Sequence, residues 1–220
     1  KHHFPSRARV VETGYPVRAD LLKWERASAR KALNLHDEKP VLLVTGGSRG
    51  ARSINQAVLA SLPSLLEIAQ VVHVSGQLDW PVVEAAANSQ SREMRSEYHA
   101  YPYLHEEMGA ALAASDLVVS RAGASSLGEY PLLGLPAVLV PYPHAWRYQK
   151  VNADYLVQRN AAVLIEDSQL EENLIPVIKN LLSESTRLAS MRHAVKALAQ
   201  PQAAKSISNL LFEMAQRGAR

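Results

Sequence analysis

Short unbroken runs of aliphatic, often β-branched residues recur along the chain at fairly even spacing. They are Val41-Leu42-Leu43-Val44, Val71-Val72-His73-Val74, Leu117-Val118-Val119, Ala137-Val138-Leu139-Val140 and Ala162-Val163-Leu164-Ile165. A strand with one face in water alternates apolar and polar residues, whereas a strand covered on both faces does not. Runs of this kind require helices on each side of a parallel sheet. The stretches between them supply those helices. Residues 52–66 carry Ile54, Val58, Leu62 and Leu65 at helical spacing, and 106–114, 125–133, 147–158, 170–182 and 185–198 also read as helices. Strand alternating with helix gives an α/β fold, a Rossmann-like parallel sheet flanked by helices.

A chain of 220 residues, 47% hydrophobic and 20% charged, has the composition of a soluble globular protein with one large domain. It contains no cysteine, which excludes a disulfide framework, thiolate metal ligation and thiol catalysis. No apolar run approaches the ~18 residues of a membrane span. The net charge of +3 is spread thinly, and the basic stretch Arg18, Lys23, Arg26, Arg30, Lys31 is interrupted by Asp20 and Glu25. Compact Lys/Arg tracts interleaved with aromatics are missing, so nucleic acid is not an expected partner. A mildly basic surface suits anionic small molecules or an anionic membrane face. Residues 1–20 read as a linker and turn, 21–200 as the domain, and 201–220 as a last amphipathic helix whose Ile207, Leu210, Leu211 and Met214 suggest docking on another surface. The chain opens on Lys1, which suggests a piece of something longer.

In open parallel sheets, ligands bind beyond the carboxyl ends of the strands. Three polar loops stand there. The first, Gly46-Gly47-Ser48-Arg49-Gly50, leads into a helix, and its glycines would let backbone N–H groups approach a phosphate, with the Ser48 hydroxyl as a further donor. The same residues also fit an ordinary βα turn with a serine cap. The second, Arg121-Ala122-Gly123-Ala124-Ser125-Ser126, opens a helix carrying Glu129, which could accept both vicinal hydroxyls of a ribose or could close a capping box with the serines. The third, Pro141-Tyr142-Pro143-His144, precedes a helix on which Gln149 and Asn152, three apart, share a face and offer uncharged amides to sugar hydroxyls. His144 by itself reads equally as a structural loop residue.

Taken in order, Gly46-Gly47-Ser48-x-Gly50-Ala51-x-x-Ile54-Asn55, Ser120-Arg121-Ala122-Gly123-Ala124-Ser125-Ser126-Leu127-x-Glu129, Gly134-Leu135-Pro136-Ala137-x-Leu139-Val140-Pro141-Tyr142-x-His144 and Gln149-x-x-Asn152-Ala153 closely resemble the C-terminal half of the MurG family. These are bacterial enzymes that transfer N-acetylglucosamine from its UDP donor to undecaprenyl-diphospho-N-acetylmuramoyl-pentapeptide, the lipid I to lipid II step of peptidoglycan synthesis. Thr13-Gly14-Tyr15-Pro16-Val17-Arg18 matches the turn leading into that family's second domain. The resemblance implies the C-terminal, donor-binding domain of a glycosyltransferase B fold. It implies that Arg18 and Ser48 contact the diphosphate, with Gly47, Gly123, Ala124 and Ser125 nearby. Glu129 would hold the ribose, Gln149 and Asn152 would face the sugar with His144 beside them, and the backbone at Leu104 or His105 would meet uracil. Arg49 stands where glutamine is usual, and Tyr148 where some members have a second glutamine. The family implies no metal or other cofactor, a general base in the N-terminal domain, and a peripheral place on the cytoplasmic face of the bacterial plasma membrane. A stand-alone donor-binding subunit and a UDP-N-acetylglucosamine 2-epimerase are the alternative readings.

Overall fold

Six parallel strands form a single sheet in the order β3-β2-β1-β4-β5-β6. The structure is a computed structural model that describes residues 10–47, 49–144 and 146–218. In chain order, α1 (Arg26–Ala32) precedes β1 (Val41–Thr45), and α2 (Arg52–Ala60) and α3 (Leu62–Ile68) lead to β2 (Gln70–Val74). Next come α4 (Trp80–Ser89), α5 (Arg92–Arg95), β3 (Tyr98–Tyr101), α6 (Met108–Ala114) and β4 (Leu117–Ser120). The chain continues through α7 (Ser126–Leu133), β5 (Ala137–Leu139), α8 (Trp146–Val157), β6 (Ala162–Leu164), α9 (Leu170–Ser183), α10 (Ser185–Lys196) and α11 (Ala203–Gly218).

Every residue of β1, β2 and β4 is buried, as their unbroken apolar runs require. Because successive side chains leave a strand on opposite faces, the same runs feed two cores. Leu43, Val72, Val118 and Leu139 pack with residues of α1, α6, α8 and α10, whereas Leu42, Val44, Val71, Val119 and Val138 pack with α2, α3 and α9. Burying such a side chain stabilises the fold by roughly 1.5–3 kcal/mol.

Beyond α1, α4 and α5, helices that the expected set lacks, two departures from the sequence pattern have local causes. The helix expected over 52–66 breaks at Ser61, because Pro63 has no N–H to donate and occupies the first turn of a new helix, α3. The sheet also has a sixth strand, β3, which the apolar runs do not reveal. It pairs only with β2 at the sheet edge and is largely half-buried, so Tyr98-His99-Ala100-Tyr101 never needed an aliphatic run.

At the amino end of the sheet, Asp116 fastens β4 to β1. Its carboxylate accepts the Val41 N–H at 3.0 Å, the Arg26 guanidinium at 2.7 and 2.8 Å, Arg30 at 3.0 Å and Arg192 at 3.2 Å. Burial alone would raise this carboxyl, but the Val41 N–H and the neighbouring guanidinium groups more than offset it and hold it below the ordinary carboxylate range.

At the carboxyl end, the loops after β1 and β2 touch backbone to backbone. Gly50 sits at φ +74°, where a Cβ would stand 2.2 Å from the Ser75 carbonyl oxygen, and one added to Gly76 (φ +83°) would lie 2.6 Å from the Gly50 Cα. Neither neighbour is the end of a flexible side chain that could move aside. Gly50→Ala should therefore cost about 2 kcal/mol or more, from left-handed strain plus a backbone clash. A urea midpoint equal to that of the wild type would contradict this packing.

Candidate functional site

The strand order reverses between β1 and β4, the point at which connections depart in opposite directions and leave a crevice beyond the strand ends. A cleft of about 890 Å³ lies there. Its wall includes Gly46 and Arg49–Ser53 after β1, Arg121 and Gly123 after β4, Tyr142–His144 after β5, and Gln149 on α8. The three loops singled out in the sequence thus meet in one place.

Over the second loop the backbone is prepared for an anion. Among the described residues, the N–H groups of Gly123, Ala124 and Ser125 have no protein acceptor, while the N–H groups of residues 126–129 turn back into α7. A Cβ added at Gly47 or Gly123 would meet no atom within 4 Å, so space lies open above both loops. Free N–H groups at a helix start, beside open space, are the arrangement that receives phosphate.

Glu129, one turn into α7, is half-buried. Burial raises its carboxyl above the usual range, against the pull of Arg18 and a hydrogen bond from Ser125. Arg18 reaches this neighbourhood because Tyr15 and Val17 lie directly over Gly128, where a Cβ would meet Val17 Cγ2 at 2.8 Å. Arg18 keeps most of its side chain in solvent and stands 3.7 Å from Asp20. Ser125 does not cap the helix through its side chain, so the capping-box alternative is not realised here.

On α8 the two amides are partly committed. The Oε1 of Gln149 accepts the Tyr142 N–H at 2.8 Å, which leaves its NH2 group to donate. The Nδ2 of Asn152 donates to the Ala122 carbonyl at 3.0 Å and ties α8 to the loop after β4. Gln149 lines the cleft, and Asn152 stands behind the wall. His144 lines the cleft with its ring against Tyr142, centroids 5.5 Å apart. Leu104 and His105 follow β3 on the same side of the sheet, outside the cleft wall. Leu104 is buried, and His105 is exposed with its ring edge-on to Tyr103. Ser48 lies outside the described residues.

Two further networks organise the cleft, built on residues to which the sequence assigns no role. Arg121 ion-pairs with Asp167, donates to the Ser53 hydroxyl at 2.8 Å and to the Val140 carbonyl at 3.1 Å, and Ser53 donates to Asp167 at 2.7 Å. One network thereby joins the ends of β4 and β5, the start of α2 and the segment after β6. Asp167 stands just beyond the last apolar run, a strand end whose polar residues were there to be read. On the other side, Asn55 donates to the Ser75 carbonyl and to Asp79, both at 2.9 Å, and its Oδ1 accepts from His73 Nε2. His73 Nδ1 in turn accepts the Tyr98 hydroxyl at 2.7 Å. Burial lowers the His73 pKa to about 4, so the ring is neutral with its Nε2 protonated. Among the described residues, no group of three His, Asp or Glu is placed to hold a metal ion.

The chain is similar to known proteins. The family model for the glycosyltransferase family 28 C-terminal domain matches residues 41–207. A UDP-N-acetylglucosamine–N-acetylmuramyl-(pentapeptide) pyrophosphoryl-undecaprenol N-acetylglucosamine transferase from Roseiflexus sp. is 44% identical over 92% of this chain and 50% of its own length. A protein of the same description from Desulforudis audaxviator is 39% identical over 99% of this chain and 60% of its own length. The chain therefore spans between half and three-fifths of the length of these relatives. The crystal structure of MurG from Acinetobacter baumannii superposes with a TM-score of 0.72 at 26% identity, covering 96% of this chain and 58% of that one. A UDP-GlcNAc 2-epimerase from Neisseria meningitidis, at 16% identity and a TM-score of 0.57 over 85% of this chain and 48% of its own, shares the fold alone. By the extent of the domain match and the identity of these relatives, the chain belongs to glycosyltransferase family 28 and carries its C-terminal domain.

Proposed function

We propose that this chain is the donor-binding half of an inverting N-acetylglucosaminyltransferase. Its donor is UDP-N-acetylglucosamine, and the acceptor is undecaprenyl-diphospho-N-acetylmuramoyl-pentapeptide, held mainly by a further, N-terminal domain. The observation that carries the reading is the cleft at the β1/β4 reversal, where the Gly46–Gly50 loop, Gly123, His144 and Gln149 converge. The relatives' descriptions supply the sugar and the lipid.

In this reading the acceptor's 4-hydroxyl oxygen attacks the anomeric carbon as the bond from that carbon to the β-phosphate oxygen breaks. UDP leaves with the electron pair, and the hydroxyl proton passes to a base on the other domain. Negative charge grows on the diphosphate, where the free N–H groups of Gly123–Ser125 and the dipole of α7 are fixed in advance to receive it and the solvent-exposed Arg18 adds a cation. Glu129 accepts the ribose hydroxyls, and the backbone at Leu104 or His105 meets the uracil edge. Ser48 contributes its hydroxyl to the diphosphate.

The amide of Gln149 fixes what the sugar must offer. With its oxygen held by Tyr142, it can only donate, and the acetamido carbonyl is an acceptor that glucose lacks. UDP-N-acetylglucosamine should accordingly bind the chain more tightly than UDP-glucose, with Gln149→Ala narrowing the difference. Equal calorimetric affinities for the two donors would remove the basis for this sugar assignment.

Glu129→Ala should weaken UDP binding by roughly 1–3 kcal/mol, the scale of hydrogen bonds to a charged group. Ribose hydroxyls donate to the ionised carboxylate, and burial makes this carboxyl take up its proton at higher pH than an exposed glutamate. The affinity gap between wild type and Glu129→Gln is therefore widest above that titration and closes as the pH falls through it. A gap that persists undiminished to the ordinary glutamate pKa of about 4.3 would speak against the role.

The last helix, α11, leaves Leu211, Phe212 and Met214 about two-thirds exposed, while its first turn is anchored by buried Ala203. We place this uncovered face against the N-terminal domain in the longer protein, which itself works at the cytoplasmic membrane surface. Leu211→Ser with Phe212→Ser should weaken association of this chain with the separately produced N-terminal domain in analytical ultracentrifugation and leave UDP affinity intact. Unchanged association would argue for a different contact.

A further inference from the structure

We propose that Arg49 is an additional diphosphate-binding residue, which supplies the donor cleft with a positive charge that no carboxylate among the described residues neutralises. The inference rests on the donor reading above and extends it to a side chain for which the fold provides no structural task.

The argument is one of charge balance. Three arginines and two aspartates line the cleft: Arg49, Arg52, Arg121, Asp79 and Asp167. Asp167 is taken by Arg121, which is further held by Ser53, by the Val140 carbonyl and by the Tyr142 ring 5.1 Å away. Asp79 is taken by Arg52 at 3.2 Å and by the Asn55 amide. Arg49 alone of the three has no acceptor among the described residues.

Its backbone, in contrast, is fixed. The Gly50 N–H closes a turn onto the Gly47 carbonyl at 3.0 Å, and a Cβ on Gly76 would come within 3.0 Å of the Arg49 carbonyl carbon. A pinned backbone with an unengaged guanidinium, in the loop beside the open space over Gly47, is suited to a fork of N–H donors on a phosphate. Since Arg121 and Arg52 are spent on holding loops together, the leaving group's charge falls to Arg49 and Arg18 together with the backbone donors. Arg18 comes from the segment before α1 and Arg49 from the loop after β1, so the two cations have separate origins in the chain.

The test is titration of wild type, Arg49→Gln and Arg49→Lys with UDP by calorimetry at low and high NaCl, and with uridine by saturation-transfer NMR. Arg49→Gln should lose roughly tenfold in UDP affinity, the scale of one charge-assisted contact. It should also show a weaker dependence on salt, because one screened charge is gone. Arg49→Lys should recover part of the loss, and uridine, which carries no phosphate, should bind all three alike. Equal UDP affinity in wild type and Arg49→Gln overturns the proposal. Parallel losses for UDP and uridine overturn it as well, since they would mark a disturbed loop and not a missing charge. A wild-type chain that binds uridine yet gains nothing from the diphosphate removes both cations' roles. One that binds neither ligand refutes the donor reading itself.

Discussion

A sheet sealed on both faces by aliphatic side chains can present hydrogen-bonding groups only where its strands end. That constraint governs this molecule. With β1, β2 and β4 wholly buried, and the His73–Tyr98 pair of β2 and β3 aside, polar chemistry gathers at the two rims of the sheet, and each rim is used differently. The amino rim is locked by Asp116 and its three arginines. The carboxyl rim holds the loops apart at the place where the strand order reverses, and the cleft is what that separation leaves.

Holding a cleft open has its own cost, because loops without mutual contacts would fray. Two networks meet it on opposite walls. Arg121, Asp167 and Ser53 join the β4, β5 and β6 side to α2, while Asn55, His73 and Asp79 join α2 to the β2 side. Both pass through α2, so the helix after the glycine-rich loop is the strut between the walls. The close contact of Gly50 with Ser75 and Gly76 completes the arrangement without a side chain. Ion pairs buried in this way position groups more than they stabilise the fold, since desolvation consumes much of their Coulombic attraction.

Much of this was legible in the sequence, for reasons that particular residues make plain. The central strands announced themselves because complete burial demands unbroken apolar runs. The edge strand β3 did not, because Tyr98–Tyr101 faces partial solvent and its composition is free to vary. Gly46–Gly50, Gly123 and Gln149 could be read because turns and helix starts constrain residue type locally. The roles of Arg121 and Asp167 could not, since 46 positions separate them and only the folded sheet makes them neighbours. The same holds for Asn152: its amide is visible as sugar chemistry in a sequence, yet the structure spends one half of it on the Ala122 carbonyl.

The histidine buried between Asn55 and Tyr98 has a consequence for how the molecule meets acidity. An imidazole in such a position could have served as a sensor, loosening the loops when protons became abundant. Desolvation prevents this by keeping the ring uncharged until about pH 4. His73 thus behaves as a rigid, uncharged spacer with a fixed tautomer, and the wall that it braces is insulated from ordinary swings in cellular proton concentration.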